Sequence, residues 1–251
     1  MRTVAILQAR TSSSRLPGKV LKPLFGRPML ARQIERVRRA ARLDELVVAT
    51  SVDASDDALE ALCREEGVAC FRGSLDDVLD RFYRAAEAQA AETVVRLTGD
   101  CPLADPDLID ALVEFFFSGG YDYASNAVPP TFPDGLDAEV LGFGCLRQAW
   151  RQATLPSQRE HVTSFIYNHP ERFRVGSYRN PVDLSHLRWT VDEAEDFEMV
   201  SGVYAELYPV DPRFGWQDVL RLLERRPELI SNSRFRRNEG YDASLRRDNP
   251  A

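Results

Sequence analysis

The sequence predicts an α/β protein with a mostly parallel sheet between two layers of helices, on three observations. Apolar, β-branched runs alternate with helical patterns from the first residues onward. Four such strand–helix repeats fit into the first 120 residues, which calls for right-handed crossovers between parallel strands. A chain of 251 residues with 44% apolar and 28% charged residues can also bury a full core.

The elements follow in order. Thr3 to Gln8 (TVAILQ) reads as a buried strand, and Met29 to Ala41 as a helix with Leu30, Ile34, Val37 and Ala41 on one face. Leu46 to Ala49 is the second strand, and Asp56 to Glu66 a helix carrying Leu59, Leu62 and Cys63 on one side. A short strand from Ala69 to Arg72 leads into a third helix, Asp76 to Ala90. Thr93 to Leu97 is the fourth strand, and Pro106 to Phe117 the fourth helix, with Asp105 as N-cap and Pro106 at the first helical position. Ligands in such sheets bind beyond the carboxyl ends of the strands, so the loops after Gln8, Ala49, Arg72 and Leu97 should surround one crevice.

The second half is less regular. Pro129 to Gly135 (PPTFPDG) is a turn-rich crossing that no helix or central strand holds. Ala138 to Gly142 reads as a strand, Cys145 to Ala153 and Ser157 to Asn168 as helices, Phe173 to Tyr178 and Leu187 to Val191 as strands, and Glu193 to Leu207 as a helix. The tail after Arg234 is polar and charged and is expected to be loosely ordered. With no repeat and no clear linker, residues 1–251 read as one domain with an inserted region at about 125–180.

A formal charge of −7 argues against duplex nucleic acid and anionic membranes as partners, but leaves room for a local basic cluster around one anionic ligand. Cys63, Cys70, Cys101 and Cys145 form no close pair, and the histidines are only His161, His169 and His186, which disfavours a zinc enzyme. A carboxylate site for a hard cation remains open. The N-terminus lacks a secretion pattern, and no stretch reaches the roughly 18 apolar residues of a membrane span, so a cytoplasmic location is expected.

The informative motif is Q-A-R-T-S-S-S-R-L-P-G-K, Gln8 to Lys19, directly after the first strand. Three fixed cations and a run of hydroxyls at a strand's carboxyl end suit a triphosphate, because arginine forks bind phosphate oxygens and lysine supplies a compact charge. It is not a Walker loop, and Gly142-Phe143-Gly144 lacks the third glycine of a dinucleotide fingerprint. On composition alone, a solvated basic loop is an equal match.

That loop closely resembles the opening loop of the cytidylyltransferases that activate 3-deoxy-manno-octulosonic and sialic acids, most of all their branch containing spore coat polysaccharide biosynthesis protein F. Further blocks match in order: V-V-A-T-S at Val47, F-R-G-S-L-D-D-V-L-D-R-F at Phe71 and V-V-R-L-T-G-D-C-P-L at Val94. P-D-G-L-D-A-E-V at Pro133, R-E-H-V-T at Arg159 and R-W-T-V-D-E-A-E-D-F at Arg188 complete the series. The resemblance covers roughly residues 3 to 207 and implies a three-layer nucleotide-diphospho-sugar transferase fold (Rossmann-like) and a homodimer.

It also implies roles. Arg10, Ser13, Arg15 and Lys19, with Ala9 in the same loop, hold the triphosphate. Arg10, Arg15, Lys19 and Asp100 form the catalytic set, with Asp100 and Asp192 carrying Mg²⁺. Gly73, Asp77 and Arg81 face the base and ribose, and Thr98 stands where several relatives carry a glutamine. Asn126, Asp134, Glu139, Arg159, Glu160 and His161 fall in the region where relatives bind the sugar and pair subunits. Simpler readings stand beside these. Asp100 fits a turn, Asp192 with Glu195 fits a capping box, and Asp196 is a first-turn acid.

The expected function is Mg²⁺-dependent transfer of CMP from CTP to an acidic or modified sugar, releasing pyrophosphate, for surface or spore polysaccharide. The alternatives are the same fold with another triphosphate or a non-sugar alcohol, and a non-catalytic subunit that binds nucleotide sugars.

Overall fold

The computed structural model describes residues 1–231, 237 and 239–248. Strand β1 (Thr3–Gln8) is followed by a small hairpin, β2 (Pro23–Leu24) and β3 (Arg27–Pro28), then α1 (Met29–Val37). The repeats continue with β4 (Glu45–Ser51), α2 (Asp57–Glu65), β5 (Ala69–Gly73), α3 (Val78–Ala88), β6 (Thr93–Thr98) and α4 (Pro106–Gly119). The second half supplies β7 (Tyr123–Ser125), β8 (Glu139–Gly142), α5 (Phe143–Gln152), α6 (Pro156–Glu160), α7 (Ser164–Tyr167) and β9 (Val175–Ser177). It ends with α8 (Ala194–Leu207), α9 (Trp216–Arg225) and α10 (Glu239–Asp248).

A seven-stranded sheet runs β5-β4-β1-β6-β8-β7-β9. Its first four strands are parallel, β8 is antiparallel to both neighbours, and β9 pairs in parallel with β7. The two-residue alternation of strand side chains divides the core. Ala5, Leu7, Val48 and Leu97 point to the layer of α1, α2, α4, α8 and α9. Val4, Ile6, Val47 and Val94 point to α3, α5 and α7 on the other face. This is the expected three-layer α/β/α architecture.

Several expectations change in the second half. Ser157 to Asn168 is not one helix: it breaks at His161–Thr163, where Val162 takes φ +24, so α6 and α7 are separate short turns. Leu187 to Val191 forms no strand; Arg188 makes an isolated bridge to Asp134, and Val191 N donates to Asp100 O at 2.8 Å. The tail is not merely loose, since α10 is a helix docked on α6. Asn238, in that tail, lies outside the described residues.

Two glycines let loops distant in sequence close on one another. A Cβ on Gly99 would sit 2.9 Å from Gln8 O and 3.0 Å from Ala9 Cβ, so only glycine lets the β6 loop close on the β1 loop. Gly135, at φ +110, lies where a Cβ would come within 2.5 Å of Thr190 N, which seats the Pro-rich crossing against the segment before α8.

Candidate functional site

The loop after β1 is tied down by a buried carboxylate. Asp56, fully buried, accepts from Thr11 N and Thr11 Oγ1, each at 2.8 Å, and from Ser51 N at 3.1 Å. Burial raises its pKa, but those hydrogen bonds outweigh burial and hold it below the usual carboxylate value. Gly18 N returns to Thr11 O at 2.9 Å, closing a compact loop that presents Arg10, Ser13, Arg15 and Lys19 on one side.

These side chains line a cleft of about 760 Å³ beyond the carboxyl ends of β1 and β6. Lys19 is only 7% exposed, and its Nζ donates to Val191 O at 2.6 Å and to Asp192 Oδ1 at 2.9 Å. Asp100 Oδ2 stands 3.7 Å from the same nitrogen. Arg15 Nη2 also reaches Asp192 Oδ1 at 2.8 Å, and Arg188 Nη2 reaches its other oxygen at 3.0 Å. Burial acts to raise the pKa of Asp192, but Lys19, Arg15 and Arg188 outweigh it and keep the group ionised.

The capping reading of Asp192 is corrected here. Asp196 Oδ2 accepts from both Asp192 N and Glu193 N at 3.0 Å, and Glu193 is the N-cap of α8. Asp196 is the first-turn acid of α8 that was expected, and it is also fully buried and binds Arg188 and Ser231. The Asp192 side chain is left facing the cleft, where Lys19, Arg15 and Arg188 hold it.

The remaining expected residues divide. Ala9, Thr98, Asp77 and Arg81 also line the cleft. Arg81 is 3% exposed, and burial with the nearby Arg10 charge brings its pKa down to about 10. Asp77 caps α3 by accepting from Asp80 N at 2.9 Å, and Arg159 Nε donates to its other oxygen at 3.1 Å. Arg159, Glu160 and His161 form the far rim, where burial pushes the His161 imidazole below its ordinary pKa. Gly73 does not line the cleft; a Cβ there would press on Arg81 at 3.0 Å.

Three expected sugar contacts are not brought to this cleft. Asn126 is fully buried and spends its amide on its own neighbourhood, donating to Leu136 O and accepting from Ala138 N, each at 2.8 Å. Glu139 is 9% exposed and pairs with Arg96 at 2.6 Å. Asp134 lies in an adjoining side pocket of about 150 Å³, which shares Asp100 and Asp192 with the cleft.

Sequence reasoning missed Asp56, Arg96, Arg188, Arg237, Gly240 and Arg247. Arg188 carried a signal, standing four residues before Asp192 within a matched block. Arg96 sat inside the fourth strand, where it was given no role. Arg237, Gly240 and Arg247 come from the tail, where no pattern pointed to a site.

Comparison with known proteins shows the family. The cytidylyltransferase family matches residues 4–209. The spore coat polysaccharide biosynthesis protein SpsF of Bacillus subtilis is 39% identical over 90% of this chain and 95% of its own. A 3-deoxy-manno-octulosonate cytidylyltransferase of an Anaeromyxobacter species is 39% identical over 51% of this chain and 53% of its own. A solved cytidylyltransferase structure from Leptospira borgpetersenii superposes with a TM-score of 0.89 at 31% identity, covering 94% of this chain and all of the other. The chain belongs to the cytidylyltransferase family, and it is a CTP-dependent nucleotidyltransferase.

Proposed function

We propose that the protein transfers CMP from CTP to an acidic or modified sugar, releasing pyrophosphate, as a step toward a surface or spore polysaccharide. The observation that carries this reading is the convergence of Lys19, Arg15, Asp100 and Asp192 at one end of the cleft. Among the described residues, seven arginine or lysine side chains line that cleft against five carboxylates, a local positive excess in a chain of net charge −7. Such a lining suits a polyanion bound in a pocket.

Mg²⁺ fits the donors present. Asp100 and Asp192 direct carboxylate oxygens at one cation position, now taken by the Lys19 ammonium. No group of three or more ligating side chains stands together among the described residues. One or two carboxylates completed by phosphate oxygens and water is the usual Mg²⁺ arrangement. When bound there, held by Asp100 and Asp192, the ion would supply positive charge to offset the negative charge of the phosphate groups.

The chain's own groups do the rest. Arg10 and Arg15 bind phosphate oxygens in fork geometry, and Lys19 shifts from Asp192 to the departing pyrophosphate, stabilising charge as it accumulates. Arg81 and Asp77 hold the nucleoside, and Thr98 and Gly99 floor the cleft beneath the α-phosphate. The sugar hydroxyl enters from the rim formed by Glu160 and His161 for in-line attack, so that catalysis is chiefly positioning and electrostatics. Pyrophosphate release assayed over the four triphosphates tests the reading. Turnover confined to CTP is expected, with Asp100→Asn lowering it by about 10²-fold while the fold stays intact. Release from GTP or UTP alone, or unimpaired Asp100→Asn, would refute it.

A further inference from the structure

We propose that α10, beyond the span the family matches, is part of the nucleotide site, and that Arg247 binds a phosphate oxyanion of CTP. The inference rests on the cleft being the CTP site. The helix has little apolar surface to bury: its sequence is EGYDASLRRD, Leu245 is 41% exposed, and Ser244 is its one fully buried residue. Polar contacts with the cleft rim hold it instead. Ser244 Oγ lies 2.9 Å from His161 Nε2 and 2.7 Å from Glu160 Oε2. Ser157 N donates to Asp248 Oδ1 at 2.9 Å, and Asn168 Nδ2 donates to Tyr241 OH at 3.0 Å. So anchored, the helix places Gly240 and Arg247 in the cleft lining itself.

Arg247 is arranged for an anion. Its bonds to Glu160 and Ser244 both run through Nη2, and among the described residues Nε and Nη1 make no hydrogen bond or ion pair. A guanidinium fork binds phosphate oxygens in parallel. The side chain is 60% exposed, so its pair with Glu160 is screened and weak, and a phosphate displaces the carboxylate readily. Glu160 then serves as the resting partner of Arg247 in the empty cleft.

The test is calorimetric titration of CTP, inorganic pyrophosphate and cytidine, in buffer with Mg²⁺ and no sugar, into the full chain and into Arg247→Gln and Arg247→Lys. The glutamine variant should bind CTP and pyrophosphate about tenfold more weakly and cytidine unchanged, since a lost charge-assisted bond is of that size. The lysine variant should recover part of the loss. Urea midpoints equal to that of the parent show that the helix remains docked. Equal CTP affinity in parent and Arg247→Gln overturns the proposal, as does a loss that cytidine shows in full. Should the parent bind pyrophosphate but not CTP, the nucleotide reading fails while the oxyanion contact is still decided by the pyrophosphate arm.

Discussion

At the scale of the residue, the site is a set of charges that neutralise one another until a ligand arrives. Lys19 and Arg15 share Asp192, and Arg188 is divided among Asp134, Asp192 and Asp196. Asp134 is the member least well served. Burial and the neighbouring Asp137 push its pKa up to about 6, more than Arg237 and Arg188 recover. An acid whose folded pKa is raised binds more protons in the native state than in the unfolded chain between the two values. Its contribution to stability is therefore present below about pH 4 and is lost as pH rises to about 6. Urea denaturation of the parent and of Asp134→Asn across this range should show the parent losing stability relative to the variant as pH rises. A constant difference would mean that Asp134 titrates normally. Its place in this pattern was not legible from sequence, because the arginines around it come from residues 188 and 237, and only folding brings them to it. The β1 loop was legible, because its cations lie within ten residues of one another.

At the scale of the element, position was read well where one strand–helix period repeated and poorly where chemistry shared a residue with capping. Strands β1, β4, β5 and β6 and helices α1 to α4 lie where periodicity placed them, with ends shifted by a few residues. Leu187 to Val191 had the apolar content of a strand but lies along the Asp100 turn, held by Val191 N and Thr190 Oγ1 on Asp100 O. That contact across 90 residues is what sets Asp192 beside Asp100, and no local pattern could announce it. Asp77 shows how an element end and a site share one side chain, because it caps α3 and anchors Arg159. Asparagine caps nearly as well as aspartate but carries no charge. Asp77→Ala should cost about 1 kcal/mol of stability and also release Arg159. Asp77→Asn should keep the stability and release Arg159 alone. Both variants should then show the same rise in KM for CTP, with only the alanine melting earlier. If KM rises only in the variant that loses stability, the Arg159 pair has no part in binding.

At the scale of the whole molecule, the ligand site is closed by parts distant in sequence. The loop proposed for the triphosphate stands at residues 9–19, the metal-binding candidates at 100 and 192, and α10 begins at 239. The sheet is likewise continuous, with β8 inserted between β6 and β7, so the second half does not fold as a separate layer. A ligand that bridges these parts binds only when all are in place, and its binding energy adds to the stability of the whole. Mg²⁺ and CTP at a hundredfold excess over Kd should add about 2.7 kcal/mol to unfolding. For a chain of this length that is a rise in melting temperature of roughly 5–10 °C. The rise should appear in one calorimetric transition that moves as a unit. Two transitions, of which CTP shifts only one, would mean that the halves are independent domains and that the ligand is held by one of them. In that case the contact of Asp192 and α10 with the nucleotide would be lost along with the single-domain reading, since both require the second half to unfold with the first.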